Sequence, residues 1–160
     1  MGKVREVGEI HHYVCEDELD DDGYVLTTLN ASTSGNLKKA TASYYYRLVG
    51  VNFKSTEDPF NPGSYLSDVE IPVVVDGVVR VQLTGKANRS TDIKIGDPIA
   101  VYDAGKVAHF TDCPIATLLG TVNATNLTKM LTSIVGTACE EVAASEDTDD
   151  GKILVKLSMH

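Results

Sequence analysis

Apolar and polar positions alternate most regularly from residue 69 onward, with the period of two that marks half-buried strands. "VEIPVVVDGVVRVQL" (69–83) is two β-branched runs around Asp76-Gly77. Asp-Gly between such runs predicts a tight hairpin, because both turn residues must take positive φ. "KANRST" then makes a loop, and "DIKIGDPIAVY" predicts a strand broken at Gly96-Asp97-Pro98. Proline cannot donate to a ladder, which puts that corner on an edge or at a bend. "DAGK" (103–106) turns the chain into "VAHF", and an acidic turn at Asp149-Asp150-Gly151 leads into a strand from Ile153 to Leu157.

Between these lies "PIATLLGTVNATNLTKMLTSIVGTA" (114–138), with an internal echo of Leu119-Gly120-Thr121-Val122 in Val135-Gly136-Thr137-Ala138. Leu127, Met130, Leu131 and Ile134 fall at i, i+3, i+4 and i+7, which favours a short helix near 125–134 capped by Thr125 or Asn126. The threonine content keeps an inserted hairpin open as the alternative.

The first 68 residues are less regular. Val4, Val7, Ile10 and Tyr13 alternate loosely and carry little bulk for a core strand, which suggests an arm that packs on something else. The acidic run from Glu16 to Asp22 favours a solvated loop. Residues 27–42 read as loop or weakly paired edge. "ATASYYYRLVGVNF" predicts a strand, and "KSTEDPFNPGSY" breaks the chain. Short segments between turn signals indicate an all-β fold, a small barrel or sandwich, with an extended N-terminal arm. The division expected is an arm and edge region over 1–68 and a compact β-domain over 69–160.

A length of 160 residues suits one domain with a core of its own. The net charge of −9 argues against a primary nucleic-acid binder, since phosphates repel such a surface. No stretch approaches the roughly 18 to 20 apolar residues that span a bilayer, and the N-terminus has no apolar signal core, so synthesis in the cytoplasm is expected. The sequons at Asn30, Asn88, Asn123 and Asn126 are then chance matches in a threonine-rich chain.

Candidate chemistry is sparse. Cys15, Cys113 and Cys139 are odd in number and unpaired in spacing, giving no disulfide framework or zinc knuckle. "ELDDDGYV" places Glu18, Asp20 and Asp22 ahead of Gly23 as a calcium loop does, but Leu29 holds the twelfth position where a bidentate glutamate belongs. "EDTDDGKI" fails likewise at Thr148 and Leu157. His11 and His12 are adjacent, so in a strand their rings face opposite sides. His109 has no carboxylate beside it in sequence, and His160 ends the chain. No nucleophile elbow or phosphate-binding glycine loop occurs. The expectation is a non-enzyme with no catalytic residues, no cofactor and no metal.

"IKIGDPIAVYDAGKVAHF" and "IVGTACEEVAASEDTDDGKILVKL" resemble the strand–Gly-Asp-Pro–strand–Asp-x-Gly-Lys–strand unit and the closing unit of tailed-virus capsid decoration (cement) proteins. The resemblance covers about residues 69–157. The segment at about 117–134 and the long N-terminal region depart from the family's simplest pattern. The resemblance implies a virion protein on the outer face of an icosahedral head. It would assemble there as a homotrimer that clamps neighbouring major capsid subunits. Val4, Val7, Ile10 and Tyr13 are the candidate capsid contacts, with the arm adding a strand to a sheet edge. A rival reading is a head-fibre or spike-type module that binds host glycans through the Tyr44-Tyr45-Tyr46 run. A weaker third is a small barrel enzyme using a cysteine.

Overall fold

The computed structural model describes residues 6–159, and of Glu6 the backbone only. Its strands are β1 (Glu6–Cys15), β2 (Val25–Thr27), β3 (Lys38–Lys39), β4 (Leu48–Asn52), β5 (Val69–Gln82), β6 (Pro98–Asp103), β7 (Lys106–His109), β8 (Ile134–Ala138) and β9 (Lys152–Leu157). A helix, α1 (Ala124–Ser133), lies between β7 and β8. Among the described residues the strands form one antiparallel sheet in the order β3-β2-β4-β5-β9-β8-β6-β7, with β1 paired to β5 off that path. The fold is all-β, as the alternation predicts.

The sheet curls until its ends meet. The Val25 N–H donates to the Gly105 carbonyl at 2.8 Å and the Gly105 N–H to the Ala40 carbonyl at 2.6 Å. The Thr84 N–H reaches the Val107 carbonyl at 2.9 Å. Satisfying end-strand groups in this way removes exposed edges that would otherwise template association. Val25, Val51, Val81, Ile99, Val107, Ile153 and Val155 fill the main core. Leu19, Leu26, Leu37, Ile71 and Val73 form a second one. Ala100, Ala108, Cys113, Ile115 and Met130 form a third, beneath α1.

The hairpin expected at Asp76-Gly77 is absent: β5 runs straight through as a strand of 14 residues. Of the two turn residues only Gly77 has positive φ, at +112°. The halves of β5 do not pair with each other because other strands hold them: β1 from Val69 to Val78 and β9 from Val78 to Gln82. Gly77 acts as a bulge. Before it Val73 and Val75 face the second core, after it Val79 and Val81 face the main one. A strand of constant phase would send all four odd-numbered residues to one side. The turn with two positive φ values is Ala104 (51°)-Gly105 (77°), joining β6 to β7.

Residues 6–15, expected as an outward arm, lie along β5 of the same chain, in register from Glu6↔Val78 to Cys15↔Val69. The apolar bulk that β1 lacks is supplied by β5. A boundary at residue 68 therefore falls between strands of one sheet. The strand predicted over "ATASYYYRLVGVNF" is confined to Leu48–Asn52, because Arg47 sits at φ 54° and bends the tyrosines out of it. The predicted helix is present, but its cap is Asn123, whose Oδ1 accepts from the Asn126 N–H at 2.9 Å. Pro98 opens β6, where a missing N–H costs no ladder bond.

Candidate functional site

The acidic turns are held by three buried cations, Arg80, Lys152 and Arg89, the last donating to the Ala143 and Glu146 carbonyls beside Asp147. The Arg80 side chain is 3% exposed. Its Nε and Nη2 donate to the two Asp150 oxygens at 2.6 Å each. Nη1 donates to Glu140 Oε1 at 2.7 Å, and Nη2 also to the Lys152 carbonyl at 2.7 Å. Lys152 Nζ reaches Asp21 at 3.2 Å and bonds Asp22. Asp20 accepts from the Tyr24 hydroxyl at 2.5 Å. Asp20 and Asp22, two of the carboxylates that resemble a calcium loop in sequence, thus turn to separate protein donors. Among the described residues no group of three or more His, Cys, Asp and Glu side chains is placed to hold a metal ion. Arg80 was the signal in the sequence: a single cation inside a valine run has to find buried anions.

No histidine ring meets a cysteine thiol in the hydrogen bonds of the described residues. His11 Nε2 is 2.6 Å from Glu9 Oε1 at the surface. His109 Nε2 is 3.4 Å from Asp97 Oδ2, and its Nδ1 is 2.9 Å from Thr111 Oγ1. Asp97 lies twelve positions away in the chain, outside the local sequence around His109. Cys113 Sγ donates to the Ala100 and His109 carbonyls at 3.3 Å each, and burial pushes its thiol up to about 12. Burial likewise pushes Cys15 up to about 11. Both thiols are therefore held protonated, and Cys113 meets carbonyls in place of an imidazole. His160 lies outside the described residues.

A cleft of about 600 Å³ is lined by Tyr102, Asp103, Thr111, Asp112, Cys113 and Thr117. Its Asp112 carboxylate is already occupied by the Ser90 and Thr91 hydroxyls and N–H groups. A second, of about 300 Å³, brings Tyr44 together with Asp17, Asn30, Lys38 and Lys39. Tyr45 and Tyr46 pack edge-to-face on each other, at a centroid distance of 5.8 Å.

The most distinctive surface is apolar. Leu119, Val122, Leu127 and Leu131 are 54, 69, 47 and 54% exposed. Leu127 and Leu131 share one face of α1 by their spacing of four, and Val122 and Leu127 occupy the N′ and N4 positions of a hydrophobic staple. Helix α1 turns Met130 and Ser133 inward instead. Between Asp112 and Glu140 the only charged residue is Lys129, whose Nζ lies 5.5 Å from the centroid of the Tyr46 ring. The periodicity of Leu127, Met130, Leu131 and Ile134 predicted the helix but not which side of it is buried.

Of the four candidate contacts, Val4 lies outside the described residues. Val7 and Tyr13 are half-buried, against the main and second cores respectively, and Ile10 is exposed. They do not share one free face. Comparison with known protein families, with characterised proteins and with solved structures found no match.

Proposed function

We propose that this chain is a capsid decoration (cement) protein, a structural virion component that binds the outside of an icosahedral head and clamps neighbouring major capsid subunits. The observation that carries the reading is the set of exposed apolar side chains Leu119, Val122, Leu127 and Leu131, in a segment whose one charge is Lys129, on a chain of net charge −9. Apolar patches of this kind mark contacts with other macromolecules. A rigid curled sheet that holds such a face outward, with its charges neutralised inside turns, suits a part that is pressed onto a protein shell. The remaining acidic exterior would keep decorated heads from adhering to one another.

The test is co-sedimentation with empty capsids assembled from the major capsid protein of the same genome. Burying a leucine contributes about 1.5–3 kcal/mol, so Leu127→Glu with Leu131→Glu should weaken capsid binding on the order of a hundredfold or more. Both side chains are exposed, so the thermal midpoint should not fall. A parent chain that stays in the supernatant, or a double variant that pellets as well as the parent, would overturn the proposal. The glycan-binding reading has one observation in its favour, the Tyr44 cleft with its polar rim. Glycan-array binding lost on Tyr44→Ala would favour that reading.

A further inference from the structure

β1 has one edge on β5 and another that faces solvent. Pro72 stands opposite His12 in the β1–β5 register. Pro72 has no N–H, and its carbonyl accepts from the Phe53 N–H on the β4 side at 3.0 Å. His12↔Pro72 is therefore a pair without mutual hydrogen bonds, and the N–H and C=O of His12 point away from β5. Alternation puts Ile10 and Val14 in the same outward set. Val14 agrees: its carbonyl accepts from the Leu37 N–H at 2.9 Å, outside the β1–β5 ladder. The pairs from Ile10↔Val74 to Cys15↔Val69 keep one unbroken register, and the shifts lie on either side of Glu9.

Among the described residues no strand other than β5 pairs with β1. Residues 8–12 are exposed throughout, and neither proline nor lysine blunts them. Leu37 closes the edge at Val14, and the open stretch is centred on Ile10. Its side chains are self-complementary about that centre. Glu9, His11 and Tyr13 share one face, as the 2.6 Å Glu9–His11 contact and the stacking of His11 on Tyr13 record.

We propose that a second copy of this chain docks β1 against β1, antiparallel, on a two-fold axis through Ile10. The outward groups of Ile10 bond Ile10 of the second copy, and His12 of each copy then lies opposite Gly8 of the other. Glu9 then falls directly opposite His11 of the second copy, twice. Two chains of net charge −9 repel over most of their surfaces. On this edge the one carboxylate of each copy meets a histidine, so it is a place where like chains can approach. A two-fold contact of this kind closes at two copies, whereas the family resemblance implies three. The proposal does not depend on capsid binding.

Sedimentation velocity on the full chain over a dilution series tests it. The parent should be a dimer at high concentration. His11→Glu sets carboxylates opposite one another and should raise the dimer dissociation constant by about tenfold or more. Adding Glu9→Lys to that variant places a lysine opposite each new glutamate and should restore dimerisation. Ile10→Pro removes an outward N–H that β5 does not use, and should abolish the dimer while matching the thermal midpoint of the parent at dilutions where the parent is monomeric. A parent that remains monomeric, or forms a trimer, overturns the proposal. So does a dimer indifferent to His11→Glu, or one that Glu9→Lys fails to restore.

Discussion

Replacing Arg80 by methionine should strand a buried anionic site. The guanidinium makes three charge-assisted bonds to carboxylates and one to a carbonyl, all at 2.6–2.7 Å. Removing one partner of a buried, hydrogen-bonded charge network costs about 3–5 kcal/mol, because the remaining charges keep their desolvation penalty. The Asp150 side chain is 40% exposed and the Glu140 side chain 18%. Asp150 can therefore rehydrate, while Glu140 does so poorly. The expected loss sits at the lower end, about 3 kcal/mol.

Urea titration of Arg80→Met against the parent measures this, with equal slopes required before midpoints are compared. At about 2–4 °C per kcal/mol for a chain of this size, the melting midpoint should fall by roughly 6–12 °C. Adding Glu140→Gln should recover part of the loss, since the glutamine keeps an acceptor for the Leu154 N–H that Glu140 receives at 3.0 Å but carries no charge. A loss below about 1 kcal/mol would mean that Arg80 contributes no more than a surface ion pair. Strict additivity of the two substitutions would refute the coupling.

Two further outcomes follow from local geometry. Glu16 accepts from the Ser32 and Thr33 N–H groups at 2.8 and 3.1 Å, from the Ser32 hydroxyl at 3.0 Å and from Asn36 Nδ2 at 3.0 Å. The Ser32 N–H foremost holds its carboxyl at about 2, below the ordinary 4.5. A depressed folded value stabilises above the unfolded value and loses that contribution as pH falls from 4.5 towards 2. Glu16→Gln should therefore flatten the acid limb of a stability–pH curve in that window, and an unchanged limb would rule the contact out. Gly77→Val forces a β-branched residue to φ +112° and should cost about 1–3 kcal/mol, a melting decrease of roughly 2–12 °C. A variant as stable as the parent would show that the bulge tolerates side chains.

Where local chemistry sufficed, the sequence was legible. The all-β class, the β6–β7 turn, the last strand and the helix at 124–133 all follow from spacing and turn residues. Asp76-Gly77 misled because its turn grammar is also that of a bulge. What decides between them is whether β1 and β9 hold the flanking halves, and those strands are remote in sequence. The arm misled for the same reason: ten residues poor in apolar bulk become a strand when Ile71 and Val73 offer the surface. Lys152 with Asp21, and Arg80 with Glu140, join positions more than fifty residues apart. Such pairs have no local signature. The exposed face of α1 was hidden because a repeat at i, i+3, i+4 and i+7 marks an apolar stripe without saying whether its partner is the chain's own core.

The two proposed contacts occupy separate parts of the molecule. β1 borders the second core through its pairing with the first half of β5, whereas α1 covers the third core, over Ala100 of β6 and Ala108 of β7. No residue is shared between those two clusters, although both border the main core, β1 through Val7 and the third cluster through Tyr45. A pair joined at β1 would carry two apolar faces, and seating one on a shell raises the local concentration of the other at a neighbouring subunit. Self-pairing would in that case strengthen attachment without adding any contact to the shell, which is what a clamp across adjacent subunits requires. The reverse also holds: a chain that seats through α1 alone would decorate a capsid without tying its subunits together.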